Sequence, residues 1–185
     1  MASIITATTT NGLTHSADNS GVLQLASGVG NLVTVPSVTG TAMVSGNMPT
    51  FRAVKSGASQ SFSSSTWTKV TFETETFDTN NNFASSTFTP TVAGYYQING
   101  RIAQDYASSA NNQIRTAIYK NGSIYSSGVY IFNGAYGSFI QVSDIVFCNG
   151  TTDTVEIYAW SNNSSPVISS STDQTIFSGV LVRAS

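Results

Sequence analysis

The side chains able to carry acid–base, nucleophilic or metal chemistry are few in this chain and poorly placed for it. His15 is the only histidine, so a Ser-His-Asp or Cys-His site would have to use it. It falls in a stretch, Met1–Pro49, that holds no Phe, Tyr or Trp and offers little to preorganise a base. Cys148 is the only cysteine, which excludes an internal disulfide. At the end of the strand-like run Ile145–Cys148 it reads as a small buried hydrophobe rather than a reactive thiol. With one Cys and one His, zinc lacks its usual ligands. No GxxxxGK[ST] loop occurs, and Gly28-Val29-Gly30 lacks the strand-to-helix context of a dinucleotide site.

Two acidic clusters remain. Glu73 and Glu75 would share a strand face and imitate a paired-carboxylate site, although solvated residues opposite Phe72 are the simpler reading. Asp78 with Asn80-Asn81-Asn82 could offer oxygens to Ca²⁺, and the same residues make turns by bonding their own backbone. No catalytic residue, cofactor or metal is therefore expected. A glycan depolymerase would need a carboxylate pair in a clearer context.

The elements around these residues are strands. Of the 185 residues, 40% are hydrophobic, enough for a core, while only 9% are charged, against roughly 25% in an average soluble protein. The polar surface must come from Ser, Thr, Asn, Gln and Gly. Such a surface suits a crowded fixed assembly or a neutral polymer such as a sugar. Seven scattered Lys and Arg and a net charge of −2 give no basic stripe for nucleic acid. No segment approaches the length of a membrane span. Met1–Thr10 lacks a basic start and a long apolar run, so synthesis in a cytoplasm is expected.

Residues 1–49 form an arm of different character, with no Lys or Arg and a single acid, Asp18. Val22, Leu23, Leu25, Leu32, Val33 and Val35 recur among Gly and Ser, as in small strands that need a partner surface. Gly21–Leu25 and Asn31–Val35 are placed to pair as a hairpin across Ala26–Gly30, or to add to the sheet of a neighbouring subunit. These six residues are the candidates for attachment to a partner such as a capsid.

Residues 50–185 read as a dense antiparallel β domain. Strands are expected near Thr50–Val54, Thr66–Thr74, Thr87–Thr89, Gly94–Gln104, Gln113–Lys120, Ser123–Tyr130, Gly137–Phe147, Thr154–Ser161 and Thr175–Val182. Short strands with turns between them indicate a sandwich or jelly roll, not βαβ units. Asn121-Gly122 is the strongest hairpin signal, because a type I′ turn needs positive φ at both centres. Asn149-Gly150 and Asn133-Gly134 are weaker cases. No segment joins 3.6-residue periodicity to good helix formers.

Several motifs in this region resemble the C1q-like domains of the C1q/TNF jelly-roll superfamily. They are Phe51-Arg52-Ala53, Lys69-Val70-Thr71-Phe72, the Asn80-Asn81-Asn82 corner, Phe88-Thr89-Pro90, Gly94-Tyr95-Tyr96, Ala117–Gly122 and Phe177-Ser178-Gly179-Val180-Leu181. A departure occurs at Asn149–Val155, where the family has a tight Gly-Asp-x-Val and where Asp153 is in doubt as that acid. The resemblance implies an all-β C1q/TNF-like jelly roll that closes into a homotrimer. It also points to phage and bacterial structural proteins rather than to enzymes.

The apolar pattern of the late strands also favours self-association. A sheet wet on one side should alternate apolar and polar residues, and several strands here are apolar on both sides. Val155, Ile157 and Ala159 oppose Tyr158 and Trp160; Tyr96 and Ile98 oppose Tyr95; Phe177 and Leu181 oppose Ile176, Val180 and Val182. The expected trimer interface is Tyr95, Tyr158, Trp160, Phe177 and Leu181. The functional expectation is a phage virion protein, a homotrimeric knob serving as capsid decoration or cement. The alternative is a short tail-fibre or tail-tip protein that binds host surface glycan through neutral loops such as Ala107–Asn112 and Ser161–Thr172.

Overall fold

A computed structural model describes Leu23–Ala26, Leu32–Val35 and residues 48–105, 112–132 and 138–185. His15, Val22, Gly28–Gly30, Asn133-Gly134 and most of the loop beginning at Ala107 lie outside these residues. The chain divides into two units, Met1–Ala42 and Met43–Ser185. In the first, β1 (Leu23–Ala26) pairs antiparallel with β2 (Leu32–Val35), setting Leu23 opposite Val35 and Leu25 opposite Val33. This is the pairing that the alternating Leu and Val residues imply.

The second unit is a sandwich of two antiparallel sheets, and no helix occurs among its described residues. Its strands are β3 (Thr50–Val54), β4 (Gln60–Ser61), β5 (Thr68–Lys69), β6 (Thr74–Asp78), β7 (Phe83–Ala84), β8 (Thr87–Phe88), β9 (Gly94–Gln104), β10 (Asn112–Lys120), β11 (Ser123–Phe132), β12 (Ser138–Cys148), β13 (Val155–Ser161), β14 (Val167–Ile168) and β15 (Ile176–Ala184). One sheet, called here the β10 sheet, runs β11-β10-β13-β8-β7, with β5 also on β13. The other, the β9 sheet, runs β12-β9-β15-β3-β6, with β14 and β4 beyond the end of β15.

Period-2 alternation turns one face of each long strand inward. Tyr96, Ile98 and Ile102 of β9, Phe177 and Leu181 of β15, Ile140, Val142 and Val146 of β12, and Ile157 of β13 form one buried cluster. Its aromatic centre is Phe51, stacked on Phe88 at 4.3 Å between ring centroids and met edge-on by Phe177 at 4.8 Å. Tyr96 is fully buried but satisfied, its hydroxyl donating to the Val92 carbonyl at 2.6 Å. Beside it, Gly94 must lack a side chain, because a Cβ there would lie 2.3 Å from the Arg183 carbonyl oxygen.

The expected strand Thr66–Thr74 does not form as one piece. Thr68 and Lys69 pair with β13 in one sheet, and Thr74–Asp78 pairs with β3 in the other, so the chain crosses between layers. Val70 and Phe72 are buried on the way, which explains their apolar spacing. Side chains replace the ladder there: the Thr71 N–H donates to Gln60 Oε1 at 2.9 Å and the Phe72 N–H to Ser86 Oγ at 2.8 Å. Phe77 is exposed on the outside of β6.

Candidate functional site

The outward face of the β9 sheet is more apolar than a solvated face requires. Tyr95 lies on β9, Ile145 and Phe147 on β12, and Val180 and Val182 on β15; all are exposed, Val182 to 57%. The register sets Phe147 opposite Tyr95 and both Ile145 and Val180 opposite Gln97. The Tyr95 and Phe147 rings touch at 5.3 Å. A polar layer interrupts the patch: Ser143 Oγ donates to Asn99 Oδ1 at 2.7 Å, and Gln97 Nε2 donates to Ser143 Oγ at 2.8 Å.

The outward face of the β10 sheet is aromatic in another way, because its rings are partly covered by one another. Tyr158 of β13 stacks on Tyr119 of β10 at 3.8 Å with 20° between planes, and Trp67 meets Tyr119 edge-on at 6.1 Å. The Arg115 guanidinium lies over Trp160 at 4.6 Å. Glu156 accepts Lys69 Nζ at 2.6 Å, Thr87 Oγ1 at 2.9 Å and the Tyr158 hydroxyl at 3.3 Å. Burial opposes the charge on Glu156, yet these donors outweigh it and hold the carboxyl below its usual range. Burial first, and the Glu156 charge second, raise the Tyr158 phenol.

The five expected interface residues therefore do not form one surface. Tyr95 is on the outside of the β9 sheet; Tyr158 and Trp160 are on the outside of the β10 sheet. Phe177 and Leu181 are a correction. Both are buried inside the sandwich, because the alternation of β15 turns odd-numbered residues inward as far as Leu181. Their outward counterparts, Val180 and Val182, were the informative ones. Of the attachment candidates, Leu23, Leu25, Leu32, Val33 and Val35 lie on β1 and β2.

The acidic clusters are structural. Glu73 is not merely solvated: its Oε1 accepts Nζ of Lys55 at 2.7 Å, and Lys55 is buried to 1% exposure. The Ser56 and Gly57 N–H groups donate to its other oxygen. Burial opposes the charged form of Glu73, but the Lys55 and backbone hydrogen bonds lower its pKa below the usual value. The two oxygens of Asp78 accept the N–H groups of Asn80 and Phe83, and Asn82 Nδ2 donates to the Asn80 carbonyl, so the corner is held by its own Asp and Asn residues. Asp153 is tied into the turns around it: it takes hydrogen bonds from Asn121 and the Asn149 N–H and pairs with Lys120 at 3.0 Å. The Cys148 thiol is buried, and burial raises its pKa to about 11. Among the described residues no group of three or more His, Cys, Asp or Glu side chains is arranged to hold a metal ion.

Lys55, Arg115, Tyr119, Ile145 and Phe147 escaped the sequence reading. The signal for Ile145 and Phe147 was present in apolar residues at both parities of β12, whereas nothing local marks Lys55 as buried.

The sequence matches no protein-family model and no curated protein. Solved structures do resemble it. The globular domain of zebrafish complement 1qA superposes with a TM-score of 0.53 at 16% identity, covering 74% of this chain and 99% of that one. Murine APRIL at pH 5.0 gives 0.55 at 9% identity, covering 73% and 99%. At such identities the likeness is one of fold, and it agrees with the two-sheet topology: the chain has the C1q/TNF-like jelly-roll fold.

Proposed function

We propose that this chain is a bacteriophage virion structural protein whose jelly roll assembles as a homotrimeric knob, most simply a capsid decoration or cement protein. The observation that carries the self-association is the outward face of the β9 sheet. Tyr95, Ile145, Phe147, Val180 and Val182 form an exposed apolar patch where a free sandwich should be polar. Neighbouring copies arranged around a shared threefold axis would cover it, and a closed ring does so without leaving an open end. Threefold closure is taken from the fold.

The virion role is supported by the low charge of the surface and by the β1–β2 hairpin. Two-stranded hairpins are marginal alone, so this one fits a segment completed by another protein, such as the major capsid protein. The chemistry-poor residue set favours a structural role over an enzymatic one. Ultracentrifugation of the intact chain should give a trimer at micromolar concentration, and deletion of residues 1–49 should leave that trimer soluble but unable to bind capsids. A monomer at that concentration, or full capsid binding by the truncated chain, would refute the corresponding half of the proposal. A second reading, a tail-fibre or tail-tip protein binding host glycan, is favoured by the aromatic outward face of the β10 sheet.

A further inference from the structure

We propose that the outward face of the β10 sheet, centred on Trp160 and Arg115, binds the carboxylate-bearing sugars of an acidic polysaccharide. The proposal rests on the glycan-binding reading above and deepens it by naming the site and the ligand class. It does not depend on trimerisation, since one chain supplies every residue.

The aromatic content of this face is unusual, because an outward sheet face is ordinarily polar. Trp67, Tyr119, Tyr158 and Trp160 are each only partly buried and touch one another or Arg115. Rings already fixed by such contacts lose little freedom on binding. Sugars present C–H faces to aromatic rings and hydroxyls to polar heads, and Gln113 and the Tyr158 hydroxyl lie on the same face.

The charges on this face select an anionic sugar. Lys69 is spent on Glu156 at 2.6 Å. Arg115 has no carboxylate within ion-pair distance among the described residues. Among the described residues its Nη2 donates only to the neutral Gln113 Oε1 at 2.9 Å, and its buried Nε has no acceptor. A covered, unpartnered donor is costly and calls for a partner. The planar guanidinium fork matches a carboxylate, and a carboxylated sugar stacked beside Trp160 would supply one as the guanidinium turns toward it.

The test is calorimetric titration of the full chain with tetragalacturonate and tetramannuronate, each against its neutral methyl ester. The acids should bind more tightly than the esters, and more weakly as salt rises. Arg115→Gln should weaken the acids about tenfold more than the esters, the loss of one charge-assisted contact. Trp160→Ala should weaken acid and ester together; unchanged thermal unfolding of Arg115→Gln controls for folding. Equal binding of acid and ester would overturn the carboxylate assignment while leaving glycan binding intact. Binding untouched by both substitutions would overturn the location. No binding by either acid or either ester would overturn the proposal together with the reading beneath it.

Discussion

Asn121 and Asp153 fasten two turns to each other: Asn121 Nδ2 donates to Asp153 Oδ1 at 2.7 Å. The bond is reciprocated, since Asn121 Oδ1 accepts the Thr154 N–H at 2.9 Å. Asn121 and Gly122 hold φ of 51° and 77°, the left-handed values that a tight hairpin between β10 and β11 demands. Asn149 Oδ1 meanwhile accepts three successive N–H groups, from Thr151, Thr152 and Asp153. The longer turn is thus closed largely by its own Asn, and Asp153, which also accepts the Asn149 N–H, ties it to its neighbour.

This arrangement makes Asp153 an acid-sensitive joint. The Asn121 hydrogen bond, partly opposed by burial and aided by Lys120 and the Asn149 N–H, lowers its pKa below 3.8. Glu73 and Glu156 are likewise lowered from 4.5. A carboxyl depressed in the folded state contributes stability that is complete above its unfolded pKa and lost as pH falls through its folded one. The melting temperature should therefore be flat from neutral pH to about 5 and fall below about 4. Asp153→Asn should melt lower at neutral pH and show a shallower acid decline. Asp153→Ala, which strands Lys120 and Asn121, should cost about 3 kcal/mol by denaturant unfolding.

Lys55 and Glu73 predict an asymmetry. The ammonium is buried, whereas the carboxylate is 38% exposed and also holds the Ser56 and Gly57 N–H groups. Glu73→Ala would leave a buried charge uncompensated and should cost about 3–5 kcal/mol. Lys55→Met fills the same space with an apolar chain and leaves Glu73 in reach of water and its backbone donors, so it should cost less than about 1.5 kcal/mol. Equal losses in urea unfolding would show that the charge on Lys55 is not what Glu73 serves.

Ser86 is a third case. Its hydroxyl accepts the N–H of buried Phe72 at 2.8 Å, where the chain crosses between sheets and no strand can. Ser86→Ala should cost about 1–3 kcal/mol, the penalty of an unpaired buried amide, and Phe72 should lose hydrogen-exchange protection before Val70. The N–H of Val70 has the Ile157 carbonyl at 2.9 Å.

These crossings mark the limit of what the sequence conveys. Gly94–Gln104 is legible because Tyr96, Ile98 and Ile102 alternate with polar residues over a long ladder. The hairpin at Asn121-Gly122 is legible because its backbone values are rare outside such dipeptides. The break within Thr66–Thr74 is not, because Val70 and Phe72 keep a strand-like period while their N–H groups go to different elements. Two-residue strands such as β4, β7 and β14 are too short for any period to show. For the candidate surfaces, parity shows that β15 is apolar on both sides, but only the neighbouring sheet decides which side is the core.

That decision separates Phe177 from Val182 by experiment. Phe177 touches the Phe51, Phe72 and Phe83 rings at centroid distances of 4.8–5.8 Å, so Phe177→Ala should cost about 3–5 kcal/mol through the cavity it opens. The molecules that remain folded should associate as before, since the substitution does not reach the outer face. Val182→Asp and Ile145→Asp should do the reverse. Each places a charge in the exposed patch, where a second copy would have to desolvate it. Ultracentrifugation should then find a monomer with native circular dichroism and a concentration-independent melting temperature. Should Phe177→Ala dissociate the assembly while Val182→Asp leaves it whole, the covered face is not the outside of the β9 sheet. Val129→Asp, in the exposed part of β11, and Tyr158→Asp would then separate an interface at that edge from one on the Tyr119–Tyr158 side, where self-association would compete with any ligand of Trp160 and Arg115.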